Sequence, residues 1–354
     1  MEPGTEQTIK VPYVIASPKP GAEYFVRISF IQNSDELWAK KGFEVASEQF
    51  KLPVMIVANP KAETKAAVIL TQNEKEIDIK GTDFALVFDK TLGTFSSIKK
   101  GSQELLTRQG GPRLHLWRAP HKNDDWYADR DWVKNGLREL KWSVIEATAN
   151  QVNPGTVQIS VKLKGEGKNS FQVTHDAVYT ITGDGEITVS NKVNSNNTKV
   201  VIGRMGIRFM LNKQLDQITY FGRGPMENYS DRKRGFDVGL YSSSVPEQLT
   251  PYEKPMDCGN HEDVRWVTLF QKNGKGIQVT SDKDLMQITA LPYTDEELEK
   301  PEYKIDLPQS SATVLCISHK TLGVGSASCG PRPLDQYLVF AEPTSFSYTL
   351  KILQ

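Results

Sequence analysis

The sequence predicts an all-β protein. Apolar and polar residues alternate with a period of two in 157–163 (VQISVKL), 186–193 (EITVSNKV) and 346–352 (FSYTLKI), as they do in half-buried strands. The segments between such stretches, for example 182–186 (TGDGE) and 272–276 (KNGKG), have the Gly, Asn and Asp content of tight turns. Many short strands joined by polar turns are typical of an antiparallel sandwich or barrel.

The chain divides into two parts at a polar segment. Residues 23–32 and 42–52 have the pattern of two strands of a small sandwich, and 58–66 (ANPKAETKA) reads as a linker. Residues 84–106 begin a new unit with a strand, a turn and a second strand. We therefore expect a small β domain over 1–62 and one large β domain over 63–354.

Helical patterns are scarce. The best candidate is 129–140 (DRDWVKNGLREL), where Trp132, Leu137 and Leu140 share one face. The segment is short and contains Gly136, so we expect a small helix at the surface.

Composition excludes several classes of protein. Lys plus Arg and Asp plus Glu both number 43, and this zero net charge argues against nucleic-acid binding. No apolar run is long enough to cross a bilayer, and the first ten residues lack the pattern of a signal peptide. We expect no membrane partner, and the sequence is compatible with either cytoplasm or periplasm.

The cysteines and histidines do not form a recognisable site. Three cysteines in a long chain argue against a disulfide framework. Cys258 and His261 form one C-x-x-H pair, whereas a metal site needs about four ligands. We expect an unligated loop cysteine, no metal ligand set in this chain, and histidines at surface or turn positions.

Familiar catalytic motifs are absent from the sequence. Residues 323–330 (GVGSASCG) are rich in glycine but are not a G-x-S-x-G nucleophile elbow, and no P-loop or dinucleotide-binding pattern occurs. Three acidic pairs could supply the two carboxylates of a glycosidase, although such pairs more often are solvated or bind an arginine. They are Asp124 with Asp125, Glu227 with Asp231, and Glu262 with Asp263.

Aromatic residues occur near the same loops, and they leave two interpretations open. Flat rings beside amides and carboxylates suit sugars, but such rings also close the ends of sandwiches. The residues are Trp117, Trp126, Tyr127, Trp132, Tyr229, Tyr252 and Trp266.

Several ordered motifs resemble one family over nearly the whole chain. The segment 220–235 (YFGRGPMENYSDRKRG) resembles the G-x-G-P-x-E-N-Y-x-D-R signature of bacterial β-galactosidases of glycoside hydrolase family two, and it is the most specific match. The other matching segments are 22–53 (the end of an immunoglobulin-like domain), 84–106 (the start of the small-chain domain), 116–125 (LWRAPHKNDD), 250–267 (TPYEKPMDCGNHEDVRWV), 291–299 (LPYTDEELE) and 320–330 (KTLGVGSASCG).

The resemblance implies a fold and a structural role. The fold would be a partial immunoglobulin-like sandwich followed by a large antiparallel supersandwich, similar to that of galactose mutarotases. In such enzymes this domain packs against the catalytic barrel. Residues that would brace the barrel-facing surface are Arg118, Glu227, Asn228, Tyr229, Arg232, Arg265 and Trp266; those that would face the sugar cleft are Asn123, Asp124, Asp257, Ser328, Cys329 and Gly330.

Three departures from the family pattern fall on the side expected to face the sugar. Cys329 stands about where a Trp often closes the pocket, Lys122 replaces a common Asp, and Asp257-Cys258 replaces a Glu-Asn pair. They predict a divergent member with an altered glycoside preference.

The family's two catalytic glutamates lie on a (β/α)₈ barrel, for which this chain has neither the helices nor the length. The resemblance therefore implies a non-catalytic C-terminal portion of a longer retaining hydrolase, with the barrel of the same polypeptide and a galactoside-type sugar as partners. The parent would be a homo-oligomer that uses Mg and Na, with no cofactor held by this chain. The alternatives are a free-standing carbohydrate-binding module or, less favoured, a mutarotase that uses His175 and Glu227.

Overall fold

The structure, a computed structural model, describes residues 4–57, 65–325 and 332–353. The chain forms two compact units, Met1–Glu63 and Thr64–Gln354. The predicted linker at 58–66 lies almost wholly outside the described residues.

The first unit contains one antiparallel hairpin in its described part. Strand β1 (Phe25–Ile31) pairs with β2 (Glu44–Lys51), so both strands predicted for this region are confirmed. The Arg27 guanidinium binds the Glu44 carboxylate across the hairpin at 2.6 Å. Trp38 packs edge-on against Phe43, with ring centroids 5.9 Å apart.

The second unit begins with a five-stranded meander. Its strands pair in chain order: β3 (Ile69–Gln72), β4 (Glu76–Lys80), β5 (Phe84–Asp89), β6 (Thr94–Lys100) and β7 (Gln103–Glu104). The β5–β6 turn is fixed by Asp89, whose Oδ1 accepts from the backbone N–H groups of Thr91 and Leu92 at 2.7 and 3.0 Å. The strand–turn–strand prediction for 84–106 is thus confirmed.

Two further antiparallel sheets make up the rest of the second unit. Their strands are β8 (Arg113–His115), β9 (Lys141–Asn153), β10 (Thr156–Glu166), β11 (Gln172–Thr182), β12 (Glu186–Ser195), β13 (Arg204–Asn212), β14 (Gln217–Gly224), β15 (Asp237–Ser244), β16 (Asn260–Val264), β17 (Trp266–Phe270), β18 (Gly276–Ser281), β19 (Met286–Leu291), β20 (Ala312–Thr321) and β21 (Thr344–Leu353). A nine-stranded sheet has the order β15-β14-β17-β18-β21-β12-β11-β10-β9, and a five-stranded sheet has the order β16-β19-β20-β13-β8.

Alternation along the strands supplies the core. Val157, Ile159 and Val161 of β10 are buried on one face while their neighbours are half-buried or exposed, and all three sheets of the second unit contribute to one hydrophobic cluster. Burial of this apolar surface is the main favourable contribution to folding. The three strands predicted from alternation lie within β10, β12 and β21, and the all-β antiparallel fold class is confirmed.

The only α-helix among the described residues is α1 (Asp295–Glu299), which a Thr294–Glu297 capping box begins. Single 3₁₀ turns cover Lys122–Trp126, Leu137–Glu139, Pro246–Gln248, Lys304–Asp306 and Asp335–Tyr337, and a π-type turn covers Ala128–Val133. None of the helices in the described part of the chain is long and apolar enough to cross a lipid bilayer.

The predicted surface helix at 129–140 is wrong in two respects. It is two short turns separated by Gly136, whose φ of +67° is left-handed and interrupts a right-handed helix. Its apolar face is not at the surface, because Trp132 and Leu137 are buried in the main core. The Trp132 indole N–H donates to the Val201 carbonyl at 3.0 Å.

Candidate functional site

The loop after β14 is organised around the Glu227 carboxylate. Its Oε1 accepts from Arg232 at 2.7 Å and from the Tyr252 hydroxyl at 2.5 Å, and its Oε2 accepts from Thr250 at 2.9 Å and the Gly259 N–H at 2.8 Å. Burial alone would raise the pKa of Glu227, but these four donors outweigh burial and hold the pKa below its usual value. Glu227 is thus an ionised structural hub.

Asn228 joins this loop to β16. Its backbone N–H donates to the Asn260 carbonyl at 2.7 Å, and its side-chain oxygen accepts from the Glu262 N–H at 2.9 Å. Asn260 returns a side-chain bond to the Asn228 carbonyl at 2.8 Å. Asn228 is fully buried, and an amide that satisfies backbone groups on both sides fixes the loop in one position.

Tyr229 lies between two guanidinium groups. Arg118 and Arg232 sit 5.8 and 5.4 Å from its ring centroid, a cation–π distance. Its hydroxyl donates to Asp257 at 3.3 Å. Burial raises the pKa of this fully buried tyrosine well above its usual value.

Arg118 connects three segments of the chain. It forms a two-bond pair with Asp124, with Nε to Oδ2 at 3.0 Å and Nη2 to Oδ1 at 2.9 Å, and both side chains are buried. The same guanidinium donates to the carbonyls of Leu322 and Gly323 at 2.5 and 2.9 Å. The acidic residue Asp124 is therefore the counter-ion of an arginine, the outcome expected for most such acids.

Further hydrogen bonds hold the segment that follows β20. Asn123 donates to the Val324 carbonyl at 2.6 Å, while the Asp231 carboxylate accepts from the N–H groups of Val324 and Gly325 at 3.1 and 2.8 Å. A Cβ on Gly323 would lie 2.6 Å from Asp231 Oδ2, so the close approach requires glycine. The 322–325 segment is thus fixed by side chains from two loops. Ser328, Cys329 and Gly330, which follow it, lie outside the described residues.

A second arginine completes the buried network, which we define as Arg118, Asp124, Arg204, Asp257 and Asp295. Arg204 pairs with Asp257 and lies 3.5 Å from Asp295. Burial raises the pKa of Asp257 above its usual value, although the Arg204 charge opposes the shift. The opposite holds at Asp295, where Arg204 and His115 outweigh burial and lower the pKa.

Sequence reasoning missed Arg204, Asp295 and His115 as members of this region, and it named Asp231 only as one carboxylate of a possible acidic pair. Asp295 and Asp231 lie inside matching motifs, so their positions carried a signal, but isolated strand residues such as Arg204 carried none. Histidines expected at the surface are also buried. His115 binds Asp295 at 2.7 Å, and burial lowers the pKa of this histidine to about 4.

Arg265 and Trp266 lie at the junction of β16 and β17. Arg265 donates to the Asp263 carbonyl at 2.5 Å and stacks 5.4 Å from the Phe221 ring. Trp266 is half-buried and pairs with Thr280 on β18. Asp263 also binds Lys233 at 3.1 Å, so this junction adjoins the Glu227 loop.

The structure does not bring His175 and Glu227 together. His175 is buried on β11 and binds Asn191 at 3.0 Å, whereas Glu227 follows β14. Four strands separate β11 from β14 in the sheet order, about 24 Å at the usual strand spacing. The mutarotase alternative requires these two side chains to converge on one sugar. In the structure they lie on, or directly follow, strands that are not neighbours, and each binds its own partners.

The described part of the chain contains no cluster of side chains suited to bind a metal ion. Within residues 4–57, 65–325 and 332–353, no three His, Cys, Asp or Glu side chains converge as a metal site would require. The two residues of the C-x-x-H pair have separate surroundings. Cys258 is a buried free thiol, and His261 binds Gln248 at 2.6 Å.

Comparison with known proteins decides the family. The family described as "Beta galactosidase small chain" matches residues 80–350, and the one described as "Beta-galactosidase, domain 4" matches residues 1–53. The chain belongs to the β-galactosidase small-chain family. This confirms the resemblance seen in the motifs.

The relatives of this family member are longer proteins. The β-galactosidase of Priestia megaterium is 35% identical over 94% of this chain and 32% of its own length, and that of Halalkalibacterium halodurans is 26% identical over 90% and 32%. The chain thus spans about a third of the length of these curated relatives. Among solved structures, a galactose 1-epimerase from Lactobacillus acidophilus aligns with a TM-score of 0.46 and 8% identity, over 80% of this chain and 97% of that one.

Proposed function

We propose that this chain is the non-catalytic C-terminal portion of a β-galactosidase-type hydrolase and that its 322–325 segment helps to wall the sugar pocket of the parent polypeptide. The observation that carries the proposal is the anchoring of 322–325. Arg118, Asn123 and Asp231 fix its backbone directly. A segment held in this way keeps its backbone at a defined place, as a binding surface requires.

The parent would hydrolyse terminal β-galactosides, or a related glycoside, with retention. One carboxylic acid would protonate the leaving oxygen and a second carboxylate would attack the anomeric carbon. Both would belong to a barrel on the same polypeptide. The described residues of this chain would help to position and enclose the sugar, and no step of the proposal uses a metal ion held by them.

The first experiment is to capture the native polypeptide from source cells with antibodies against this chain and to assay it with an aryl β-galactoside. We expect a polypeptide much longer than 354 residues that hydrolyses the substrate. A captured polypeptide of this chain's own size without glycosidase activity would contradict the proposal. So would turnover by the purified chain that survives removal of contaminating host β-galactosidase.

The second experiment tests the role of the anchored segment in the parent enzyme. Asp231→Asn should raise KM several-fold, because the amide cannot accept both N–H groups as well as the carboxylate does. Asp184→Asn is the matched control, since Asp184 forms a surface pair with Lys65. Equal kinetic constants for the two variants would remove the proposed role of the segment.

A carbohydrate-binding module is the second candidate, and one cavity favours it. A cavity of about 200 Å³ is lined by Asn191, several serines and Phe346, on which His319 stacks with centroids 5.8 Å apart. Hydroxyls and an amide beside a flat apolar face suit a sugar ring. Calorimetric titration of the purified chain with galactose, alongside Phe346→Ala, would detect such binding, and absence of heat at millimolar sugar would exclude it.

A further inference from the structure

A second cavity in the same unit has an excess of positive charge. Its volume is about 260 Å³, and residues of β8 and β13 form part of its lining. Three guanidinium groups, those of Arg113, Arg138 and Arg208, line it together with one carboxylate, that of Glu296. The indoles of Trp117 and Trp142 supply apolar walls.

Two of these arginines are neighbours of like charge. Arg113 of β8 and Arg208 of β13 are directly opposite in the antiparallel register, so their Cβ atoms are about 4.5–5.5 Å apart. Like charges in this position destabilise a sheet unless an anion lies between them. Such a pair in a half-buried position therefore calls for a counter-ion.

The carboxylates nearby supply a counter-ion to Arg208 and Arg138 but not to Arg113. Glu296 binds Arg208 through two bonds of 2.7 and 3.1 Å, and Glu299 binds Arg138 at 2.6 Å. Asp295, 3.8 Å from Arg208, is already shared with Arg204 and His115.

Arg113 is the unpaired member. Among the residues that the structure describes, no carboxylate lies within ion-pair distance of it. Burial and the Arg208 charge lower the pKa of Arg113, and attraction from Asp89 is the weaker influence. A buried donor is also left over at Arg138, whose Nε has no hydrogen-bond partner in the described structure. Buried guanidinium donors are normally satisfied.

We propose that this cavity binds a small oxyanion, a phosphate or carboxylate group, between Arg113 and Arg208. The planar guanidinium fork of Arg113, which binds no carboxylate among the described residues, matches two oxygens of either group, and Arg208 adds a second positive charge beside it. The inference is independent of the proposed hydrolase function, because it does not use the 322–325 segment or the side chains that hold it.

The test is a thermal and calorimetric titration of the purified 354-residue chain. Inorganic phosphate and malonate are the two probes, each compared with sodium chloride at equal ionic strength. Because a ligand that binds only the folded state stabilises it, we expect Tm to rise by about 2–4 °C at tenfold excess over Kd, and we expect the heat of binding to saturate. Saturation by phosphate alone assigns a phosphate group, and saturation by malonate as well assigns oxyanions in general.

Variants locate the binding. Arg113→Gln should weaken phosphate or malonate binding by tenfold or more, while its Tm in chloride should equal or exceed that of the wild type because the like-charge pair is gone. Arg108→Gln is the matched control: it removes the same charge from an exposed arginine five positions earlier and should leave Kd unchanged. Arg113→Lys, which keeps the charge but loses the fork, should fall between them.

The proposal is overturned if neither probe gives a saturable response beyond that of chloride. It is also overturned if Arg113→Gln or Arg113→Lys binds as tightly as the wild type. If Arg113→Gln does not fold, Arg113→Lys and the ³¹P line width of phosphate with the wild-type chain decide the outcome.

Discussion

Two ion pairs of the same chemistry lie in very different surroundings. Arg27 and Glu44 in the β1–β2 hairpin retain 43% and 40% of their side-chain exposure, whereas Arg118 and Asp124 retain 0% and 1%. Both pairs are two-bond contacts with distances between 2.6 and 3.0 Å. The geometry is nearly equal, so the difference in what the two pairs do must come from burial.

Burial changes the role of such a pair more than its strength. A surface pair is screened by water and contributes little, but a buried pair cannot lose one member without leaving an unsolvated charge. Arg118 also donates to two backbone carbonyls, so its position fixes the 322–325 segment. The buried pair therefore fixes the position of one segment, while the surface pair contributes little to stability.

The largest expected effect is the loss of the Asp124 carboxylate. Asp124→Ala should lower the free energy of unfolding by about 3–5 kcal/mol, because it leaves the Arg118 charge buried and unpaired. Urea unfolding followed by near-UV circular dichroism measures this loss. The neighbouring Asp125 is the control, since it is exposed and forms a surface pair with Lys122; Asp125→Ala should change stability by less than about 0.5 kcal/mol. Equal losses would refute the importance of burial.

The next effect concerns the Glu227 hub. In Glu227→Gln, an amide NH₂ group replaces one carboxylate oxygen and faces two hydrogen-bond donors. This should lower the free energy of unfolding by about 2 kcal/mol at pH 7. Because the folded pKa is lowered, the carboxylate's contribution is present above the unfolded pKa of about 4.3 and is lost as pH falls through the folded value. The difference between wild type and variant should therefore shrink in acid.

Urea unfolding at pH 7 and pH 3 tests this. Glu253→Gln is the matched control, because Glu253 is 76% exposed and binds Lys304 at the surface. A loss for Glu227→Gln that is the same at both pH values would show that shape, and not charge, explains the hub.

Glu262 should show the opposite sign. Burial raises the pKa of Glu262 to about 7 against the Lys233 charge, so its contribution is full below the unfolded pKa of about 4.3 and is lost as pH rises through about 7. Relative to the wild type, the free energy of unfolding of Glu262→Gln should thus rise by on the order of 2 kcal/mol between pH 5 and pH 8. The neighbouring Asp263 has a lowered pKa, because Arg223 and Lys233 outweigh burial, so Asp263→Asn should lose stability at pH 8.

These effects separate what the sequence predicts from what it cannot. Alternation predicts β10, β12 and β21, because a period of two is a local property of a strand. The pair of Arg204 with Asp257, and its approach to Asp295, depend on how β13, the 250–259 loop and α1 meet after distant strands pair. No local pattern contains that information.

Local patterns also mislead where one residue breaks them. The spacing of Trp132 and Leu137 suggests a helix face, but the left-handed Gly136 ends the helix and both side chains turn to the core. Motif resemblance supplied the residues of the Glu227 loop, and the structure added which oxygen each donor binds. The role of Asp231 illustrates the limit: it lies in the most specific motif, yet its partners, Val324 and Gly325, are more than ninety residues away.

The smallest effect belongs to the hairpin, and it sharpens the comparison most. The Arg27 and serine hydrogen bonds lower the pKa of Glu44 to about 2, a shift that would suggest a strong pair if the site were dry. Because Glu44 is in water, salt should screen the interaction. Glu44→Gln should therefore slightly speed amide hydrogen exchange in β1 and β2 at about 0.05 M NaCl and leave it unchanged at about 1 M NaCl. The loss caused by Asp124→Ala should persist at the higher salt, because ions do not reach a buried pair. A salt response of equal size at both pairs would mean that burial does not distinguish them.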